Sequence, residues 1–244
     1  MRLLAFLLAL VSGLAIAQEE TETRELVGNI GGHRALMVLY ATKRADGAWR
    51  VTGEYLTLPQ LQRRYLEGER SAQLGVLFLK EGNTPILWSR PPTATLQGTW
   101  NSGRLRGTRY GPGGQERERF ELSEEFPSME GHSATVRCEV AADRYRAALA
   151  FALEGGQLKP GSFEWTSKLT PSGHGCALAG LEQRPFKGGL AFAAGRCTVT
   201  LRELGDYLRV TAEDCAAFCG SQGFLEPMLV DRRGGCLLLR PQAR

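Results

Sequence analysis

From Leu26 to Leu122, apolar and polar positions alternate in short runs, and glycine, proline or a charged pair interrupts them every roughly 8–12 residues. The runs are Ala35–Tyr40, Trp49–Leu56, Leu74–Leu79, Pro85–Trp88, Ala94–Trp100, Arg104–Tyr110 and Arg117–Leu122. Their two-residue period puts one face in a core and one in water, so they predict an antiparallel meander that closes as a sandwich or small barrel. Arg44-Ala45-Asp46-Gly47, Lys80-Glu81-Gly82-Asn83 and Gly111-Pro112-Gly113-Gly114 supply turn residues between them. Leu58–Glu69 departs from the pattern: Leu58, Leu61, Tyr65 and Leu66 recur at nearly helical spacing, which predicts a short helix or a long loop.

Ser123–Met129 has no apolar period and carries Glu124, Glu125 and Pro127, so residues 123–130 read as a linker. A second set of runs follows: Ala134–Val140, Ala147–Leu153, Ser162–Lys168, Leu190–Ala194, Cys197–Leu201, Tyr207–Thr211 and Cys236–Arg240. Ala141–Ala152 is rich enough in Ala and Leu to be helical instead. Cys197–Leu201 and Tyr207–Val210 flank Glu203-Leu204-Gly205-Asp206 as a hairpin, and a helical turn follows, with Thr211 as N-cap, Asp214 as its acidic partner and Gly220 as stop. The expected fold is therefore mainly β, with a cysteine-free domain at 26–122 and a β-rich domain with a short helix at 131–244.

All six cysteines lie in that second domain: Cys138, Cys176, Cys197, Cys215, Cys219 and Cys236. Residues 1–17 have Arg2, an apolar run and Ala15-Ile16-Ala17, the pattern of a cleaved secretory signal peptide, with a flexible lead-in at 18–25. Export to an oxidising space makes an even set of cysteines a disulfide set rather than metal ligands. Cys215 and Cys219, four residues apart on one helical turn, face the same way and reach two different neighbours. A hairpin symmetric about its loop puts Cys197 opposite Ala212, near Cys215. This favours Cys197 with Cys215, Cys219 with Cys236, and Cys138 with Cys176.

Removing the leader leaves roughly 227 residues, enough for one large or two ordinary domains. It also leaves 29 basic against 26 acidic residues, too balanced to name nucleic acid or an anionic membrane as the main partner. No further stretch has the length of a membrane span. The Ala-, Gly-, Leu- and Arg-rich body favours a Gram-negative periplasm.

Candidate chemistry is sparse. His174 beside Cys176 resembles an imidazole and a thiol nucleophile, but a bridged cysteine offers no thiolate. His132-Ser133 lacks the Gly-x-Ser-x-Gly elbow. His33, His132 and His174 form no metal-ligand spacing, and neither metal nor cofactor is expected. Glu124, Glu125, Asp206 and Asp214 read as linker, loop and cap residues rather than paired catalytic carboxylates. Arg104, Arg106 and Arg109, followed by Arg117 and Arg119, form a basic ribbon that on strands sets several guanidinium groups on one face, suited to carboxylates or phosphates. Trp100 and Tyr110, with Trp49, Tyr55 and Trp88, are packing residues unless exposed, where they would stack on a ligand.

Gly28-Asn29-Ile30-Gly31, Val51-Thr52-Gly53-Glu54-Tyr55 and Leu96-Gln97-Gly98-Thr99-Trp100 resemble, in that order, the G-x-I-G, V-x-G-x-Y and L-x-G-x-W motifs of small, mostly uncharacterised exported bacterial β-proteins. Cys197-x-Val199, Asp214-Cys215 and Cys219-Gly220 are similar to the cysteine-rich last third of such proteins. Ser172-Gly173, next to His174, resembles the Ser-Gly loop with which periplasmic lysozyme inhibitors enter an enzyme cleft. A stapled scaffold without an acid–base set suits recognition. The expectation is a non-enzymatic periplasmic protein that binds or inhibits a cell-envelope protein, either a wall-degrading enzyme or an antibacterial effector to which it gives immunity. The binding candidates are Arg104, Arg106, Arg109, Trp100, Tyr110, Ser172, Gly173 and His174. The alternatives are an envelope hydrolase using His132 or His174, and a structural or assembly factor.

Overall fold

The computed structural model describes residues 20–72, 75–85, 90–220 and 222–239. The leader at 1–17, residues 86–88 of the expected run Pro85–Trp88, Leu74 and Arg240 lie outside them. The first half is a closed antiparallel barrel of eight strands in sequence order: β1 (Thr21–Ile30), β2 (His33–Lys43), β3 (Trp49–Leu58), β4 (Gln62–Arg70), β5 (Val76–Gly82), β6 (Ala94–Asn101), β7 (Arg104–Tyr110) and β8 (Arg117–Ser123). Val27 to Ile30 of β1 pair with Ser123 to Phe120 of β8 and close the ring. Every second side chain points inward. Leu26, Met37, Leu39, Leu77, Leu79, Leu96, Leu105 and Leu122 are at most 1% exposed, so the barrel is packed rather than hollow.

The motif glycines let the wall bend over this core. Gly98 and Gly107 are directly paired, and the Phe120 ring lies across both. A Cβ at Gly98 would stand 2.4 Å from the Arg106 carbonyl oxygen and 2.8 Å from the tip of that ring.

The second half is two antiparallel sheets face to face. One contains β9 (Ala134–Ala142), β10 (Tyr145–Glu154), β11 (Gln157–Leu158), β12 (Glu164–Leu169) and β13 (Gly175–Ala179). The other runs in order through β14 (Glu182–Arg184), β15 (Leu190–Ala194), β16 (Cys197–Leu204), β17 (Tyr207–Glu213), β18 (Met228–Asp231) and β19 (Cys236–Leu238). Leu149, Phe151, Trp165 and Leu178 of the first sheet meet Phe192, Val199, Leu201 and Val210 of the second in one core. The single α-helix among the described residues, α1 (Ala216–Cys219), lies beside β13.

Disulfides join Cys197 to Cys215, Cys176 to Cys219 and Cys138 to Cys236. The first bridge is as expected, and Cys215 and Cys219 do reach two different neighbours. The pairs Cys219–Cys236 and Cys138–Cys176 are not formed. Cys138 sits on the edge strand β9 and Cys236 on β19, the edge strand of the facing sheet, so sheet packing rather than closeness in sequence chooses the partner. Val199, not Cys197, lies opposite Ala212, because the turn tightens to Gly205-Asp206. Thr211 stays in β17, its hydroxyl 2.6 Å from that of Thr200, and the cap of the helix is Cys215, four residues beyond the expected one.

Four further expectations change. Gln62–Arg70 is strand β4, with Leu66 turned inward and Tyr65 buried from the outside; apolar residues on both faces hid its period. The expected runs Ala134–Val140 and Ala147–Leu153 fall on β9 and β10, and only the helical alternative for Ala141–Ala152 fails, because Tyr145, Ala147, Leu149, Phe151 and Leu153 alternate into the core and tertiary packing outweighs alanine's helix preference. Lys80, Glu81 and Gly82 extend β5 instead of turning. Thr21–Glu25, expected in the lead-in, belong to β1 and pair with β2.

The barrel leans on the sandwich through one wall. Val27, Leu36, Leu56 and Leu58 point outward from β1–β3 and are buried against Phe126, Leu204 and Leu229. Phe126 and Met129 anchor the connecting segment, which is thus not a solvated linker throughout. Arg202 lies 4.4 Å over the Phe126 ring and pairs with Glu25, which Arg209 also grips through both carboxylate oxygens. Burial raises the Glu25 carboxyl, but the hydrogen bonds and charge of Arg209, with the charge of Arg202, outweigh it and hold the group below the usual carboxylate range.

Candidate functional site

The opposite wall of the barrel, β5–β7, lacks such a cover. Leu77 and Leu79 point into the core, so Val76 and Phe78 must point out, and they are 43% and 41% exposed. On β6, Leu96, Gly98 and Trp100 face inward and Gln97, Thr99 and Asn101 outward. On β7, Leu105 faces inward and Arg104 and Arg106 outward. The registers then draw rows across three strands: Val76 beside Thr99 beside Arg106, and Phe78 beside Gln97 beside Thr108. Thr99, Asn101, Ser102, Arg104, Arg106 and Glu125 line a shallow hollow of about 470 Å³ here.

Inside that hollow the two arginines differ. Arg106 is held by Glu121 across the ladder, with Nε and Nη2 donating at 2.9 and 2.6 Å. Arg104 has Glu125 at 4.0 Å, beyond hydrogen-bond distance, and its side chain is 54% exposed. The Ser102 hydroxyl donates to Asn101 Oδ1 at 2.9 Å, which leaves the Asn101 amide hydrogens to face the hollow. The site is therefore rich in donors and bordered by two uncovered apolar side chains.

Arg109, expected on the same face, is on the other. It lies an odd number of residues from Arg104 and Arg106, so the pleat turns it into the barrel mouth. There Glu81, wholly buried, receives Nε and Nη2 of Arg109 at 2.7 and 2.9 Å and the Tyr55 hydroxyl at 2.6 Å, while Arg109 also donates to Glu118 at 2.8 Å. Burial pushes the Glu81 carboxyl up, but the hydrogen bonds of Arg109 and Tyr55 and the charges of Arg109 and Arg64 hold it below the usual range. Burial and the neighbouring carboxylate push the Tyr55 hydroxyl well above its ordinary value. This is a closed structural cluster, with each charge answered by another.

Trp100 is likewise inward, packed at the other mouth, where the Arg70 guanidinium lies 4.5 Å from the Trp49 ring and 5.8 Å from that of Trp100 and pairs with Glu22 at 2.6 Å. Tyr110 is half-buried on the outer face beside Arg117. The basic and aromatic ribbons are thus only partly side by side in solvent: Arg104 and Arg106 are exposed, whereas Arg109 and Trp100 are packed away. Val76 and Phe78 were not singled out in the sequence. The unbroken apolar run Val76-Leu77-Phe78-Leu79 carries their signal, since a strand apolar on both faces needs a cover on both.

The remaining candidates stand apart from this wall. Ser172, Gly173 and His174 are exposed in the β12–β13 turn, closed by the Gly173 amide donating to the Leu169 carbonyl at 2.8 Å. His132 has Glu203 at 3.3 Å and Arg232 at 3.2 Å from Nδ1. A second concavity of about 220 Å³ runs along the barrel–sandwich seam over Leu36, Val38, Tyr40 and Leu56. Its flanking charges are mutually satisfied: Glu25 by Arg209, and Glu54 by Arg63 at 3.0 Å. Among the described residues no group of three or more His, Cys, Asp or Glu is arranged to hold a metal, and no helix is long and apolar enough to cross a membrane. The barrel is apolar at its middle, closes its mouths with ion pairs and carries Arg50, Glu67, Glu69 and Arg119 outside, the reverse of a lipid-facing barrel. Compared with known proteins, the chain matches no family model, no curated protein and no solved structure.

Proposed function

We propose that this chain is an exported periplasmic protein without enzymatic activity, which binds or inhibits a protein of the cell envelope through the β5–β7 wall of its barrel. The target class is a wall-degrading enzyme or an antibacterial effector. The observation that carries this reading is the contrast between the two walls. Val27, Leu36, Leu56 and Leu58 point out of β1–β3 and are buried by the sandwich, with only Tyr40 at that wall's margin exposed, whereas Val76 and Phe78 point out of β5 uncovered beside Arg104 and Arg106. Uncovered apolar side chains rimmed by polar ones are the usual composition of a protein contact. A closed ladder and a packed core keep that wall rigid, which lowers the ordering cost of binding.

A photo-reactive amino acid replacing Phe78, with Thr52 on the far wall as control, tests the reading in the periplasm of the native cell. The expected outcome is an adduct with an envelope protein from position 78 only, and inhibition or protection when the purified pair is assayed. Equal labelling from both positions, or none together with no effect on a panel of muralytic enzymes, overturns it.

One observation favours a hydrolase instead: the Glu203 carboxylate beside His132 is the kind of partner that orients an imidazole base. Arg232 shares that carboxylate at 3.2 Å, which also makes the trio an ordinary ion-pair cluster. Substituting His132→Ala and His174→Ala without change in any hydrolysis measured on envelope preparations removes the hydrolase reading.

A further inference from the structure

Resting on the proposal that the β5–β7 wall is the contact face, we infer the chemistry of what it contacts: an acidic protein segment that presents a carboxylate cluster about two strand spacings from an apolar side chain. Val76, Thr99 and Arg106 lie in one row across β5, β6 and β7. Neighbouring strands are about 4.8 Å apart, so an apolar anchor and an anion some 10 Å apart meet both ends of that row at once. The basic end is built to accept oxygen. Arg104 lacks a carboxylate within hydrogen-bond distance among the described residues, and Arg106 uses two of its N–H groups on Glu121, which leaves others to donate. The Thr99 hydroxyl and the Asn101 amide line the same hollow. A carboxylate entering it meets donors from three side-chain types, and the planar guanidinium of Arg104 suits a two-oxygen acceptor.

Two other occupants fit less well. Glu121 and Glu125 border the hollow, so its positive charge is local rather than spread, unlike the surface that a phosphate polymer or anionic lipid selects. Such a ligand would also leave Val76 and Phe78 wet. Both carboxylates at the hollow already face cations, Glu121 with Arg106 and Glu125 with Arg104 and Lys187, so a basic segment finds no open partner there, whereas a carboxylate finds Arg104.

The test titrates the full chain with a peptide alternating Glu and Phe, with its Lys and Phe counterpart, and with polyphosphate, while backbone amide signals are followed by NMR. The Glu peptide is expected to shift amides of Val76–Phe78 and Thr99–Arg106 and to leave β1–β3 unmoved, and the Lys peptide to shift none. The doubly substituted Arg104→Glu, Arg106→Glu chain is expected to bind the Glu peptide at least ten-fold more weakly and with less salt dependence. Phe78→Ser is expected to weaken it without altering the salt dependence. All these side chains are exposed, and an unchanged melting profile confirms that each variant is folded. Equal binding of both peptides, no shift with either, or polyphosphate binding that the arginine substitutions abolish and Phe78→Ser does not, overturns the inference. Capture of an envelope protein from position 78 in the same cells would leave the contact face standing. Loss of that capture would bring down the contact face and this inference with it.

Discussion

The two halves of the molecule solve the same problem of a β-sheet in opposite ways. The barrel closes on itself, so that its backbone ladder has no free edge, and it holds no cysteine. The sandwich has four edge strands and fastens each of them. β9 is tied to β19 by Cys138–Cys236, β13 to α1 by Cys176–Cys219, and β14 to the β11 region by Gln183, which accepts from the Leu158 amide at 2.8 Å and donates to the Gly156 carbonyl at 3.2 Å. Two of the three disulfides hold edge strands, and the third, Cys197–Cys215, ties β16 to the residue before α1. The difference teaches that open sheet edges, which the barrel lacks, are where cross-links are useful.

The largest effect that would break this contrast is removal of the Cys138–Cys236 bridge. It spans 98 residues, and constraint of the unfolded chain by a loop of that length contributes about 4 to 5 kcal/mol. Cys138→Ser with Cys236→Ser should therefore lower the urea midpoint of the sandwich while the barrel ladder keeps its protection. Amide hydrogen exchange reads the two regions separately, and equal loss of protection in β6 and β16 would erase the distinction.

The matching weak point of the barrel is polar rather than covalent. Glu81→Gln leaves the Arg109 guanidinium without its main counter-charge in a nearly closed mouth, and breaking a buried pair from one side costs about 3 kcal/mol or more. The expected result is a lower midpoint for the barrel, with the disulfide-clamped core less affected. Glu81→Leu combined with Arg109→Leu should recover much of that loss, because it removes both charges instead of stranding one.

Acid should act on the seam between the halves, through Glu25, and on the barrel mouth, through Glu81. The carboxyls of Glu25 and Glu81 are both depressed in the folded state, so the stability they contribute is complete above the ordinary glutamate range near about pH 4.3 and is lost as pH falls through the lower folded values. Glu25 is 29% exposed, which makes its share smaller than that of Glu81. Glu25→Gln should flatten the acid limb of a stability–pH curve. An unchanged limb would mean that the Arg202 and Arg209 pairing does not couple the halves.

How far this comparison was legible in the sequence depends on whether a strand has one dry face or two. Arg104–Tyr110 and Leu190–Ala194 coincide with β7 and β15, because each is bounded by glycine or charge. Gln62–Arg70 and Tyr145–Glu154 were obscured, the first by apolar residues on both faces and the second by alanine content, and only packing across the fold decides them. The site was legible in part. Parity alone separates Arg109 from Arg104 and Arg106, whereas the burial of one barrel wall and not the other depends on where the sandwich docks, which no local pattern records.

The smallest expected effect is the one on which the proposed role depends. Arg106→Ala removes an ion pair with Glu121 in which both side chains are about 60% exposed, and such pairs contribute about 0–1 kcal/mol. Arg104→Ala removes less still, since its carboxylate stands 4.0 Å away. Neither change opens a cavity, because the core beneath is filled by Leu105 and by Phe120 lying over Gly98 and Gly107. Thermal unfolding of both variants should therefore match the parent within about 0.5 kcal/mol. If it does, the arginines are not needed to hold the barrel together, and any loss of binding in the same variants belongs to the surface. A clear loss of stability would instead assign Arg104 and Arg106 to the barrel wall and make the two walls alike, the one exposed and the one covered, as structural faces.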